Sequence, residues 1–254
     1  MFAPECAIRK SVHVMTAATD AILLHRPRVQ YTSSESQFDA MMRWRADLEL
    51  SYLDEYGNES DTPDVVGGYA EFLVINVGQH PISELLDPLS EDTAHFADLF
   101  EDHDVALAVQ EQFPDAPFNR ILIITVVEVA EPLRGNGLGP WLVTELVERI
   151  ASPTDTLVLL HPAPAGPQPT KSAAERSLSR YWQQFGLAPI AHQPEFLGAA
   201  TAYGLLSRAR DALRALNTVV FPVPRALIEL ERPAEPRHTV ISDPEPVGLR
   251  LVRS

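Results

Sequence analysis

One stretch of the chain constrains its fold more than any other, because its residue pattern changes twice over a short distance, and each part predicts a different kind of backbone structure. Residues 121–129 form an unbroken run rich in Ile and Val, and the glycine-rich residues 134–139 follow after a short turn. Such a β-branched run, bounded by turn residues, predicts a buried strand. Beyond Pro140, which suits a first helical turn, apolar residues recur at helical spacing, at Leu142, Leu146, Val147 and Ile150. The stretch therefore predicts a strand, a glycine loop and an amphipathic helix.

A strand that leads through glycines into a helix N-terminus is a common way to build an anion site. The first N–H groups of a helix have no intrahelical partner, and the helix dipole adds partial positive charge. Glycines also let the backbone approach a phosphate closely. The spacing does not fit the Rossmann G-x-G-x-x-G pattern, and no Lys-Ser or Lys-Thr follows as in a P-loop. A phosphate ligand of another kind, or a glycine turn that serves packing alone, are the alternatives at this point.

Arg134, Gly137 and Gly139 stand in the spacing R/Q-x-x-G-x-G/A. With a strand before it and a helix after it, this spacing resembles the acetyl-CoA signature of the GNAT superfamily of N-acetyltransferases. The resemblance implies that acetyl-CoA is the cosubstrate and that its acetyl group passes by direct attack to a primary amine. The acceptors consistent with it are a protein N-terminus, a lysine, a polyamine, an aminoglycoside or a small metabolite amine.

The resemblance also implies which residues hold the cosubstrate. Backbone N–H groups of the glycine loop would bind the pyrophosphate, and the Arg134 guanidinium would add charge and forked donors. The backbone of Val129 would bond the pantetheine arm, which in the family enters between the motif strand and the next strand, here residues 156–160, where the two splay apart. The implied cofactor-binding residues are Val127, Val129, Arg134, Gly135, Asn136, Gly137, Leu138 and Gly139.

Three side chains are candidates for proton transfer, and each also has a plain structural interpretation. Glu128 lies on the motif strand, on the face opposite its two valine neighbours, where it would take a proton or bind a cationic acceptor. His161 follows the next predicted strand and has a suitable ordinary pKa. The family often has a tyrosine four residues before a closing glycine, but here that position is Trp182, whose indole cannot give up a proton at neutral pH. Tyr181 is the adjacent candidate acid, and packing is its alternative role.

The predicted fold class is α/β (α+β): a GNAT-like, mixed but mostly antiparallel twisted sheet flanked by helices. Besides the motif strand, strands are predicted at 21–24, 45–53, 65–77, 156–160 and 196–202, and helices near 34–42 and at 172–185 and 205–216. A helical insertion at about 79–118, with helical segments predicted at 80–89, 91–101 and 105–113, departs from the compact family pattern. Three roles for this insertion stay open: it covers the acceptor site, it forms an oligomer interface, or it is only an elaboration of the surface. We expect a GNAT-like domain over residues 1–217 and a Pro-rich extension over 218–254.

Composition limits the partners. A formal net charge of −15 disfavours nucleic acid, whose phosphates are bound through Lys and Arg, and it either favours a cationic acceptor or serves solubility. The single cysteine, Cys6, excludes an internal disulfide framework and fits a reducing cytosol. No apolar run reaches membrane-spanning length, the N-terminus lacks a signal-peptide core, and the eight histidines show no metal-ligand spacing. We therefore expect a cytoplasmic protein without a metal or a membrane partner.

Two alternatives to an acetyltransferase stay open. A non-catalytic acyl-CoA-binding or protein-interaction module on the same fold is favoured by Trp182, which replaces the expected tyrosine. A different nucleotide-binding enzyme would prefer a nucleotide without the pantetheine arm. Because dimers are common in the family that the chain resembles, a homodimer is also an expectation.

Overall fold

The computed structural model of the chain describes residues 21–34, 39–53, 65–163, 171–229 and 249–251. Cys6, the residues between the strands predicted at 45–53 and 65–77, and residues 164–170 lie outside these ranges. The described residues form a mixed α/β structure, in which a large and mostly antiparallel sheet is flanked by helices.

The elements are numbered in chain order. The strands are β1 (Ala21–Ser34), β2 (Met41–Leu53), β3 (Val65–Asn76), β4 (Phe100–Glu101), β5 (Asp104–Val105), β6 (Arg120–Val129), β7 (Thr156–Leu160), β8 (Ala188–Ile190), β9 (Gln193–Ala200), β10 (Phe221–Pro224), β11 (Ile228–Glu229) and β12 (Leu249–Leu251). The α-helices are α1 (Ile82–Leu86), α2 (Glu91–Ala94), α3 (Leu107–Gln110), α4 (Leu138–Ile150), α5 (Lys171–Gln183) and α6 (Leu205–Leu213).

The main sheet has the order β10-β1-β2-β3-β6-β7-β9-β8. Its neighbours run antiparallel except β6 and β7, which are parallel because α4 carries the chain back between them. β12 pairs with β11 and with the start of β3. The predicted strand, glycine loop and helix at 121–150 are confirmed as β6, a turn and α4, and the strands predicted at 45–53 and 65–77 are confirmed as the antiparallel pair β2 and β3.

Both faces of this sheet carry a hydrophobic core. On the face that we call the helix face, α4 and α6 pack on residues such as Leu48, Leu122 and Ile124. On the opposite face, which we call the insertion face, residues 82–118 pack on Ile121 and Ile123. All five of these sheet residues are at most 1% exposed. Because successive strand residues point to opposite faces, the continuous apolar run of β6 supplies both cores.

The insertion is less helical than predicted. In place of three helices it contains α1, α2, a 3₁₀ turn at His95–Leu99, the small β4–β5 hairpin and α3. α1 ends at Leu86, shortly before Pro88, which has no N–H group to continue the helical hydrogen bonding. The hairpin begins at Phe100, at the end of the second predicted helix, and turns at Asp102, which has the positive φ of 50° that a tight turn requires. Residues that favour turns therefore determine the local structure here, although the apolar spacing fits a helix.

The prediction of a helix near residues 34–42 was wrong for the residues that the structure describes. β1 runs to Ser34 and β2 begins at Met41, and the two strands pair antiparallel with Ser34 opposite Arg43. The adjacent residues Met41 and Met42 point instead to opposite faces of the sheet. Met41 is buried on the insertion face and Met42 is exposed.

The C-terminal extension adds a strand at one edge of the sheet. β10 pairs antiparallel with β1, its Phe221 and Val223 are buried, and its Pro222 and Pro224 are exposed. Part of the Pro-rich extension is therefore built into the same sheet as the predicted domain. The short pattern gave no strand prediction here, since proline is rare inside strands.

At the other edge, a glutamine from the insertion lies along β8. The Gln112 side chain donates from Nε2 to the carbonyl of Pro189 at 2.9 Å and accepts at Oε1 from the N–H of Ala191 at 2.8 Å. The amide thus pairs with the strand edge as a short neighbouring strand would. This contact joins the insertion to the far end of the sheet.

We predict that Gly68→Ala destabilises the protein more than Gly67→Ala. A Cβ on Gly68 would overlap the main-chain oxygen of Glu128 on β6, whereas a Cβ on Gly67 meets only the side-chain ends of Leu133 and Leu50, which can move. Overpacking against backbone lowers the free energy of unfolding by ~1–3 kcal/mol. Urea denaturation measures both variants, and equal midpoints would contradict the close approach of β3 and β6.

Candidate functional site

The glycine loop presents unpaired backbone donors. Gly135 and Gly137 have φ of +77° and +80°, backbone angles that residues with a side chain rarely adopt. Helix α4 begins directly after them, at Leu138. Among the described residues, no carbonyl or side chain accepts a hydrogen bond from the N–H groups of residues 135–139. Five N–H groups are thus gathered at the positive end of a 13-residue helix. This arrangement suits an anion.

Two side chains hold the loop in shape. Arg134 donates from Nε to the carbonyl of Val129 at 2.8 Å, and Asn136 donates from Nδ2 to the carbonyl of Leu133 at 3.0 Å. The Arg134 side chain is 57% exposed, and its Nη2 lies 4.0 Å from Oε1 of Glu128. The loop is therefore tied back to the end of β6 while its charge stays accessible.

β6 and β7 part at the loop. The parallel ladder between them ends at the pair Ile124 and Leu160, but β6 continues for another five residues to Val129. Over those residues β3 still pairs with one edge of β6, apart from a bulge at Thr125, while β7 does not follow along the other. The side chains of this part of β6 are only half-buried. Within the described residues, this edge of β6 therefore has no partner strand beyond Ile124, and we call this unpaired edge the opening.

Valines and a tryptophan line the helix-face side of this opening. A Cβ placed on Gly139 would lie 3.8 Å from Val127 and from Val129 and 4.0 Å from the Trp182 ring. Trp182 is 6% exposed and belongs to the helix-face core. Of the two neighbouring aromatic residues of α5, it is thus Trp182 that lies beside the start of α4.

Tyr181 lies in an aromatic cluster. Its ring packs on Trp182 at 5.7 Å and on Phe185 at 5.3 Å between centroids. Burial raises the pKa of the Tyr181 hydroxyl above its ordinary value, which makes it a weaker proton donor. These contacts are those of a packing residue on the helix face.

Glu128 lies on the insertion face, opposite its valine neighbours. Its Oε2 accepts a hydrogen bond from the Tyr69 hydroxyl at 3.2 Å, and its Oε1 lies 4.0 Å from Arg134 Nη2. The carboxylate is 17% exposed, so it is partly shielded but reachable. Burial, followed by the nearby charge of Glu128, raises the pKa of Tyr69 to about 12, so this hydroxyl stays a donor at neutral pH.

A polar cluster extends from Glu128 along the same face, and sequence reasoning missed it. The Arg45 guanidinium stacks 3.9 Å from the Tyr69 ring centroid and bonds to Asp47 at 2.8 Å and Glu71 at 3.4 Å. The alternation of β2 and β3 places these residues on one face. That signal is present in the sequence, but recognising the cluster requires the register between three strands.

His161 directly follows β7 and is half-buried. Its ring lies 5.3 Å from Phe196, a residue of the insertion-face core. His161 and Glu128 therefore lie on the insertion face, while Tyr181 packs on the helix face. The three candidates for proton transfer do not form one cluster.

Comparison with known proteins gives no family assignment, since neither any family model nor any curated protein matches the chain. Within the described ranges, no group of three or more His, Cys, Asp or Glu side chains is placed to hold a metal ion. No helix of the described residues is long and apolar enough to cross a membrane. The geometry of the loop and its surroundings is therefore the basis for a functional proposal.

We predict that Tyr69 ionises about two pH units later than an ordinary tyrosine, with a pKa of about 12 rather than 10.0. An unfolded tyrosine loses its proton first, so this residue makes folding less favourable as the pH rises from 10 to 12. The absorbance of phenolate at alkaline pH, compared between wild type and Tyr69→Phe, isolates this group. A difference curve centred near the ordinary value would contradict the contact with Glu128.

Proposed function

We propose that the chain is a GNAT-type N-acetyltransferase that moves an acetyl group from acetyl-CoA to a primary amine. The observation that carries the proposal is the set of five unpaired N–H groups at residues 135–139, placed where β6 and β7 part. A pyrophosphate needs such donors, and an extended acyl arm needs such an opening. The Arg134-x-x-Gly137-x-Gly139 spacing supports the same cosubstrate.

The sheet supports this proposal as well. The sheet is mixed and mostly antiparallel, and β7 is parallel to β6 and parts from it beyond Ile124, as the resemblance implies for the strand after the motif helix. The β1–β2 hairpin and the insertion at residues 82–118 are departures from the compact pattern. The acetyl-CoA side of the site is thus better supported than the acceptor side.

The chain's residues suit direct transfer. The loop N–H groups and Arg134 would hold the pyrophosphate, which fixes the thioester beside the end of β6. The amine nitrogen then attacks the thioester carbonyl, the C–S bond breaks, and CoA leaves as the thiolate. Glu128, on the insertion face, would bind a cationic amine or take its proton through water. Asp47 and Glu71 lie in the same polar cluster, where both bond to the single guanidinium of Arg45, so this group of three side chains keeps a net negative charge.

Among the described residues, neither aromatic side chain beside the loop is well placed as the acid for the thiolate. Trp182 cannot supply a proton, and Tyr181 is a weakened donor in an aromatic cluster. We therefore assign this proton to water. The buried Trp182 beside the loop is also the observation that favours the second candidate, a non-catalytic acyl-CoA-binding module on the same fold.

Calorimetric titration of acetyl-CoA tests the cosubstrate. We expect micromolar binding by the wild type and a loss of about a hundredfold or more, ~2.8 kcal/mol, for Gly137→Glu. The new carboxylate would repel phosphate, and a side chain is strained at this φ. Gly78→Glu is the matched control, because Gly78 has φ +83° and open space around it, away from the loop. Equal binding by the two variants, or no binding by wild type, would refute the proposed site.

Release of free thiol in the presence of a panel of amines tests turnover. We expect Glu128→Gln to lower kcat by about a hundredfold if the carboxylate takes the proton, with little change in the affinity for acetyl-CoA. Glu131→Gln, an exposed carboxylate just after β6, is the control. Binding of acetyl-CoA without thiol release from any amine would favour the non-catalytic module instead.

A further inference from the structure

A second cavity lies on the helix face, about one turn of α4 away from the glycine loop. Its volume is about 640 Å³, within the usual range of small-molecule sites. One wall belongs to α4, where Trp141, Glu145 and Arg149 recur every four residues and so share one side of the helix. Tyr31 of β1 and Arg210 of α6 complete the walls. The proposed acetyl transfer does not use this cavity.

An irregularity in β1 shapes the wall opposite α4. The pairing of β1 with β2 shifts register between His25 and Arg28, and Arg26 has a φ of +50°. Such a bulge bends the strand and redirects its side chains, and bulges often lie next to functional sites. Here the bulge lies directly on the cavity.

The acidic group of the cavity is already neutralised. Arg210 donates to both oxygens of Glu145, at 2.8 and 3.1 Å, and this bidentate pair joins α6 to α4. Arg149, one helical turn further, has neither a hydrogen bond nor an ion pair within the described part of the chain. A positive charge without an acidic partner therefore lines the cavity.

Two neutral groups of the cavity are held as hydrogen-bond donors. The indole N–H of Trp141 donates to Asn217 Oδ1 at 3.1 Å, and because an indole can only donate, the amide oxygen is used and the NH₂ group remains. Burial, and next the charge of Glu145, raise the pKa of Tyr31 to about 12, so its hydroxyl keeps its proton. Donors and a cation thus line the same space.

We propose that this cavity binds a small organic anion, whose carboxylate or phosphate contacts Arg149 and the neighbouring donors and whose apolar body occupies the remaining space. Guanidinium groups match both anions in geometry. The volume exceeds what one anionic group fills, and Trp141 and Val29 supply apolar walls. The inference stands independently of the acetyl-CoA site.

Four probes titrated into the full chain by calorimetry test the proposal. Phenyl phosphate and benzoate carry the two candidate anions on an apolar ring, inorganic phosphate lacks the ring, and benzylamine carries a positive charge on it. We expect phenyl phosphate, benzoate or both to bind more tightly than inorganic phosphate and benzylamine. Whichever of phenyl phosphate and benzoate binds more tightly identifies the preferred anionic group as phosphate or carboxylate.

Matched variants locate the binding. Arg149→Gln should weaken the better probe by about tenfold or more, since it removes a charged donor. Tyr31→Phe should weaken it by a smaller factor. Arg176→Gln, which removes an exposed arginine of α5 outside the cavity, should leave binding unchanged. The proposal is overturned if neither ring anion binds, if benzylamine binds as tightly, or if Arg149→Gln binds like wild type.

Discussion

β6 is paired with β3 over nearly its whole length, from Arg120 opposite Asn76 to Val129 opposite Gly68, whereas β7 follows it only as far as Ile124. This unequal pairing holds the end of β6 in place while leaving one of its edges open. The glycine loop starts from that held end, and the Arg134 side chain bonds back to it. The position of the unpaired N–H groups therefore depends on the β3–β6 ladder. Gly68 permits the ladder to close beside Glu128.

The sheet separates the two halves of the proposed reaction. Val127, Val129 and Trp182 lie on the helix face with the glycine loop, whereas Glu128 and His161 lie on the insertion face. A thioester at the open edge of β6 would be reachable from both faces. The acceptor would then approach from the insertion face, past the polar cluster around Glu128. In this arrangement the insertion borders the acceptor side of the sheet.

The sequence predicts the elements whose patterns are long and locally consistent. β6, α4 and β7 follow from an apolar run, helical spacing and turn residues, and their bounds agree with the structure to within a few residues. The insertion was overpredicted as helix because apolar spacing outweighed Pro88 and the turn at Asp102. β8 has three residues and β10 contains two prolines, so neither carries a period from which a strand can be predicted.

Only part of the candidate site, likewise, can be predicted from the sequence. The loop residues follow from their spacing alone, but the contact between Tyr69 and Glu128 joins residues 59 apart in the chain. The stacking of Arg45 on Tyr69 likewise depends on cross-strand register, which alternation alone does not give. The second cavity depends on a bulge in β1 and on the docking of α6. Neither leaves a recognisable pattern in the sequence.

The ends of the sheet determine how copies of this chain can associate. Because prolines lack an N–H group and alternate residues point to opposite edges, the N–H groups of Phe221 and Val223 must face β1, and the outer edge of β10 offers no donor at Pro222 or Pro224. At the other end, Gln112 occupies the edge of β8. Both edges thus resist the addition of a foreign strand, the route by which exposed sheets aggregate. Association of two copies by strand pairing at β10 or at β8 is therefore disfavoured.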